Sequence, residues 1–109
     1  MPETHLARGA VVRCDSRTWI VWTYPAGAHG ADPIALPLEP QTGPRHRSHV
    51  RLDFAGRASI VRLLRPTTIP RSRCERLGQC GPDIVASIAV SMRRALEADA
   101  AERRAMPRI

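Results

Sequence analysis

The strictest constraint in this sequence is the alternation of Val50, Leu52 and Phe54 with His49, Arg51 and Asp53. A period of two gives one apolar and one polar face, so His49–Phe54 reads as a half-buried strand. A few residues on, Ile60-Val61-Arg62-Leu63-Leu64 is nearly continuous apolar, the pattern of a strand covered on both sides. Between them, Ala55-Gly56-Arg57 predicts a three-residue hairpin loop leading into a strand over 58–64. Pro66 and Pro70 bracket Thr67-Thr68-Ile69 and confine any pairing there to a short stretch at a sheet edge. Arg57, Arg62, Arg65, Arg71 and Arg73 stud this run without breaking its pattern.

A chain of 109 residues forms one domain that buries roughly two-thirds of its unfolded surface. With 43% hydrophobic and 25% charged residues it has an ordinary globular composition, and Trp19, Trp22, Tyr24 and Phe54 are its only aromatics. The core therefore rests on Ile, Leu and Val. Every basic residue is an arginine, and the net charge of +7 favours a polyanionic partner, a nucleic acid or an acidic protein. The planar guanidinium fork suits phosphate better than a point charge does. No apolar run approaches membrane-spanning length, and MPETHLARG has no apolar signal region. Cys14, Cys74 and Cys80 are odd in number and lack CxxC spacing, which points to a reducing compartment, the cytoplasm.

In chain order, Gly9–Cys14 is a short strand candidate, and Asp15-Ser16 separates it from a second at Arg17–Tyr24. The second run is dense in β-branched and aromatic residues. Residues 25–47 are rich in Pro and Gly. Only Ile34-Ala35-Leu36-Pro37-Leu38 there resembles a strand, and Pro37 predicts that it lies at an edge. After Gly81, Pro82 suits the first position of a helix and Asp83 complements its dipole. Ile84, Ile88, Met92 and Leu96 then repeat at i+4, with Val85 and Ala89 widening the stripe. The expected layout is a single domain over 1–109. A mainly β, small, partly open barrel of about five strands spans about 8–79, a helix about 82–97, and a charged tail 98–109.

Six short runs stand in order: Arg8-Gly9-Ala10-Val11-Val12, Arg17-Thr18-Trp19-Ile20-Val21, Ile34-Ala35-Leu36-Pro37-Leu38, Ser48-His49-Val50-Arg51-Leu52, Ala58-Ser59-Ile60-Val61, and Thr68-Ile69 with Arg71, Arg73 and Leu77-Gly78. Taken together they resemble the PemK/MazF-type toxins of toxin–antitoxin pairs, whose SH3-like barrel is shared with CcdB. The resemblance implies a metal-independent endoribonuclease that cleaves single-stranded RNA, forms a homodimer, uses no cofactor and is held by an acidic antitoxin. The chain departs from the pattern at three places. Only Asp15-Ser16 joins the first two strands, where most members carry a longer loop over the RNA site. Glu39 stands where the family usually has Thr or Ser, and Arg65-Pro66 where it often has Asp-Gln. Among the family's catalytic residues only Arg17 carries over directly.

In the chemistry so implied, a ribose 2′-OH attacks the adjacent phosphate and expels the 5′-oxygen. It needs a base, an acid, and positive charge on the phosphoryl oxygens. Arg17 supplies charge but is a poor base. Glu39 is a carboxylate able to accept the 2′-OH proton. The competing reading pairs Glu39 with an arginine and leaves the site inert. Arg45, His46, Arg47, His49 and Arg51 form the expected RNA-binding set. Arg45, Arg47 and Arg51 alternate along one face as a loop enters its strand, and the histidines titrate near neutrality. A solvated basic face is the alternative. His46, His49, Cys74 and Cys80 have poor spacing for zinc, and no metal is expected. Trp19 and Trp22, three apart, face opposite sides of their strand: one in the core, the other available for base stacking or a protein contact. Two further functions remain open: a degenerate barrel that binds antitoxin or nucleic acid without cutting, and a CcdB-like poison of a protein target.

Overall fold

The computed structural model describes residues 6–25, 31–44, 46 and 48–105. It holds strands β1 (Ala10–Cys14), β2 (Arg17–Thr23), β3 (Ile34–Pro40), β4 (His49–Phe54), β5 (Arg57–Arg62), β6 (Thr67–Thr68) and β7 (Glu75–Gln79), then helix α1 (Pro82–Ala105). All pairings are antiparallel. The strands lie in the order β4-β5-β3-β2-β1-β7, with β6 beside β3. The result is a half-barrel sheet with one helix, the expected class. Seven strands replace about five because β6 is only two residues long and β7 carries Leu77 as its one large apolar side chain. No helix among the described residues is long and apolar enough to cross a membrane.

Two tight turns set the register. Asp15 and Ser16 have φ of 51° and 68°, and Cys14 pairs with Arg17, the geometry of a two-residue hairpin with both central residues left-handed. Ala55 and Gly56 have φ of 52° and 76°, and Phe54 pairs with Arg57. The loop between β4 and β5 is therefore two residues long, not three, and Arg57 is already in the strand.

The expectation for Pro37 is overturned. β3 is interior, with Trp19 opposite Pro37 on the β2 side. On its other side β3 changes partner: Ile34 and Ala35 face β6, whereas Leu38, Glu39 and Pro40 face β5. Leu36 and Pro37 occupy the gap between the two partners. A residue without an N–H is tolerated there because no neighbouring carbonyl is in register with it.

The sheet buries both faces. On one, Ala10, Val12, Cys14, Trp19, Val21 and Ala35 pack with Leu6 and Ile69. On the other, Val11, Ile20, Leu36, Leu38, Val61 and Leu63 pack with Ile88 and Ala95 of α1, and Trp22, Val50, Leu52 and Phe54 extend that cluster. Trp19 and Trp22 thus lie on opposite faces, as their spacing requires.

The helix meets the sheet through the middle of its i+4 stripe, where Ile88 and Met92 pack against the core, joined by Ala95. Ile88 and Ala95 are buried, whereas Ile84 and Leu96 stay exposed. Each step of four residues turns about 40° past a full circle, so a stripe from 84 to 96 drifts by about 120° and leaves the sheet. The helix also continues through 98–105, the segment read as tail.

Gly9, at φ +92°, joins sheet and helix. Its N–H donates to Val21 O at 2.8 Å and its carbonyl accepts from Cys80 N at 2.8 Å. A Cβ there would stand 2.8 Å from Val85 Cγ2 and 2.9 Å from Gln79 Nε2. Gly9→Ala is therefore expected to lower unfolding free energy by about 2 kcal/mol. Ser16→Gly, which relieves a left-handed serine, should raise it by about 1 kcal/mol. Urea denaturation of the two variants beside the parent checks both signs.

Candidate active site

Three adjacent strands bring the candidate residues to one surface. Glu39 on β3 lies opposite Ile60 of β5, and Arg62, two residues along β5, is on the same face as Ile60. The Arg62 guanidinium donates through Nε to Glu39 Oε2 at 2.5 Å. Both side chains are partly open to solvent, 35% for Arg62 and 42% for Glu39. Across the next ladder, His49 of β4 is directly opposite Arg62, and Arg51 is opposite Ile60. Glu39, Arg62, His49 and Arg51 therefore form a band across β3, β5 and β4.

The histidines are locked by backbone donors. His49 Nδ1 accepts from the His46 N–H at 3.3 Å. His46 Nδ1 accepts from the Ser48 N–H at 3.1 Å and lies 2.7 Å from Ser48 Oγ. With Nδ1 engaged as an acceptor, the neutral rings carry their proton on Nε2. The rings sit 5.7 Å apart, tilted by 59°. Burial pushes the His49 pKa below the usual histidine value. The charges of Arg62 and then His46 add to this, and Glu39 opposes it. His49 is thus tuned by the ion pair it faces.

Arg17 opens β2 and is exposed. Continuing the Thr18↔Leu38 register by one residue sets Arg17 opposite Glu39. Glu39 nonetheless bonds to Arg62, and among the described residues Arg17 makes no ion pair with it. Arg51 reaches Asp53 at 3.9 Å, a loose contact between exposed groups. Arg45 and Arg47 lie outside the described residues.

Arg62 is the residue that sequence reasoning missed in this role. Its signal is a lone cation inside Ile60-Val61-Arg62-Leu63-Leu64, but a three-residue loop would put Leu63 opposite His49 and hide the match. Trp22 is not a free stacking platform, because the Arg8 guanidinium lies 4.8 Å over its ring and Arg8 Nε donates to its carbonyl at 2.8 Å. Cys74 and Cys80 offer no ready nucleophile here. Burial, then the neighbouring Cys14, pushes Cys74 up to about 11, and burial raises Cys80. Among the described residues no group of three or more His, Cys, Asp or Glu side chains is placed to hold a metal ion.

No protein-family model and no curated protein sequence matches the chain. Solved structures do. An endoribonuclease from Mycobacterial species superposes with a TM-score of 0.70 at 23% identity, covering 86% of this chain and 93% of that one. An endoribonuclease in complex with its cognate antitoxin, also from Mycobacterial species, gives 0.67 at 24% identity, covering 83% and 93%. At such identities the likeness is one of fold. It reaches nearly the full length of both neighbours.

The state of His49 makes a prediction. Its folded-state pKa is depressed, so as pH falls through 6.5 the unfolded chain takes up the proton first and stability declines. His49→Gln should flatten the loss between about pH 7 and 5.5, above the range where carboxylates dominate. Urea midpoints measured at half-unit pH steps for parent and variant decide it; parallel curves would refute the assignment.

Proposed function

We propose that this chain is the toxin of a toxin–antitoxin pair, an endoribonuclease that cleaves single-stranded RNA by attack of a 2′-OH on the adjacent phosphate, without a metal. The observation that carries this reading is the Glu39–Arg62–His49 band, which places a carboxylate, a guanidinium and an imidazole on one face of a fold shared with endoribonucleases.

In this mechanism a phosphate competes with Glu39 for Arg62. As the phosphoryl oxygens take the guanidinium, the Glu39 carboxylate is freed to accept the 2′-OH proton. The same phosphate reverses the charge balance at His49, since an anion close by favours imidazolium. His49 then passes its Nε2 proton to the departing 5′-oxygen. The products are a 2′,3′-cyclic phosphate and a 5′-hydroxyl. Arg17, at the start of β2, adds charge stabilisation from that side. Arg45, His46, Arg47 and Arg51 guide the strand toward this band.

An acidic antitoxin would occupy the same cations, because both ligands are polyanions and the chain carries +7. The active unit is a homodimer working in the cytoplasm, where the three free cysteines stay reduced.

One observation favours a second reading. The Glu39 carboxylate is already bonded to Arg62. If the pair does not open, the barrel binds polyanions without cutting them. Incubation of purified chain with long single-stranded RNA in chelator separates the two. The catalytic reading expects cleavage that drops at least about 100-fold in Arg17→Ala and in Glu39→Gln. Salt-sensitive binding with no cleavage by the parent would leave only the binding module.

A further inference from the structure

Beside the band, between the free edge of β4 and α1, lies a cleft of about 640 Å³, within the range of ligand-binding sites. Its strand wall is made by His46, His49, Val50 and Arg51, and its helix wall by Ser87, Ser91 and Arg94. Ser87 and Ser91 are one turn apart and Arg94 follows at i+3, so all three share one helix face. Ala95 and Ala98 complete that face. These small side chains keep the helix surface low and leave room for a ligand. No carboxylate lines the cleft. Arg94 has no acidic partner among the described residues, and Arg51 has only its loose, exposed contact with Asp53.

A cleft with cations on both walls, two hydroxyls and no acid is built for an anion with several acceptor oxygens. His49 belongs both to this cleft and to the Glu39–Arg62 band, so the cleft and the proposed site of cleavage meet at the edge of β4. We infer that the β4–α1 cleft is a second binding site for the RNA strand, holding a phosphodiester next to the bond that is cut. Arg94 clamps it from the helix side, and Ser87 and Ser91 donate to its non-bridging oxygens.

This inference rests on RNA being the ligand of the chain but not on catalysis, and the test keeps the two apart. The probe is a fluorescein-labelled 2′-O-methyl octaribonucleotide, which cannot be cut because its 2′-oxygens are blocked. Anisotropy titrations across a salt series should show Arg94→Ala binding about 5–10-fold more weakly. The slope of log affinity against log salt should fall by about 0.7, the loss of one single-strand phosphate contact. Arg94→Glu should bind more weakly still. Thermal melts establish that each variant is folded. Arg94 variants that bind the probe like the parent overturn the cleft, whatever the parent does to cleavable RNA. Parent chain that binds the probe through Arg94 but never cuts RNA overturns catalysis and leaves the cleft standing. If a polyglutamate peptide loses binding in Arg94→Ala while the oligonucleotide does not, the occupant is an acidic protein and the RNA assignment is wrong.

Discussion

The structure depends first on the Ala55-Gly56 turn. Two left-handed residues in succession make a hairpin whose twist matches its strands, and the count of two decides which residues of β4 and β5 meet. One residue more would carry Arg62 past His49 and set Leu63 there. The band of Glu39, Arg62 and His49 is therefore a product of turn geometry before it is a product of electrostatics. The pairing of β3 with β5 then hands Arg62 to Glu39. Each ion-pair partner comes from a strand that is fixed from both sides.

Much of this fold can be read from residue order alone. The alternation in His49–Phe54, the β-branched run after Arg17 and the Pro82-Asp83 helix start all correspond to observed elements. The failures share a cause: each depended on a neighbour that local pattern does not name. Pro37 reads as an edge residue until it is known that β3 exchanges β6 for β5 at that point. β7 has almost no pattern of its own and exists because β1 offers it an edge. The i+4 series Ile84–Leu96 looks buried throughout, yet a long helix crossing a sheet touches it only midway, through Ile88, Met92 and Ala95.

The candidate site was legible in part. Glu39 stood out through its place after the third strand, and His49 and Arg51 through the polar face of β4. Their convergence with Arg62 was not legible, because it needs a register exact to one residue. Arg94 and the two serines were further out of reach. Nothing in a helix sequence says which of its faces stands beside a strand edge, and Ser87 and Ser91 look like ordinary solvent-facing residues until the cleft is seen.

The position of α1 in the chain has its own consequence for biosynthesis. It follows all seven strands, yet Ile88 and Ala95 close the cluster around Ile20, Leu36 and Val61. A nascent polypeptide emerging from its N-terminus thus exposes an unlidded apolar surface until the helix arrives. β1 likewise waits for β7 to fill its outer edge, so the β4–β5 hairpin can form long before the scaffold around it is complete. Interrupted synthesis would yield a sticky fragment rather than a smaller folded unit, since the surface left bare is the one that α1 shields.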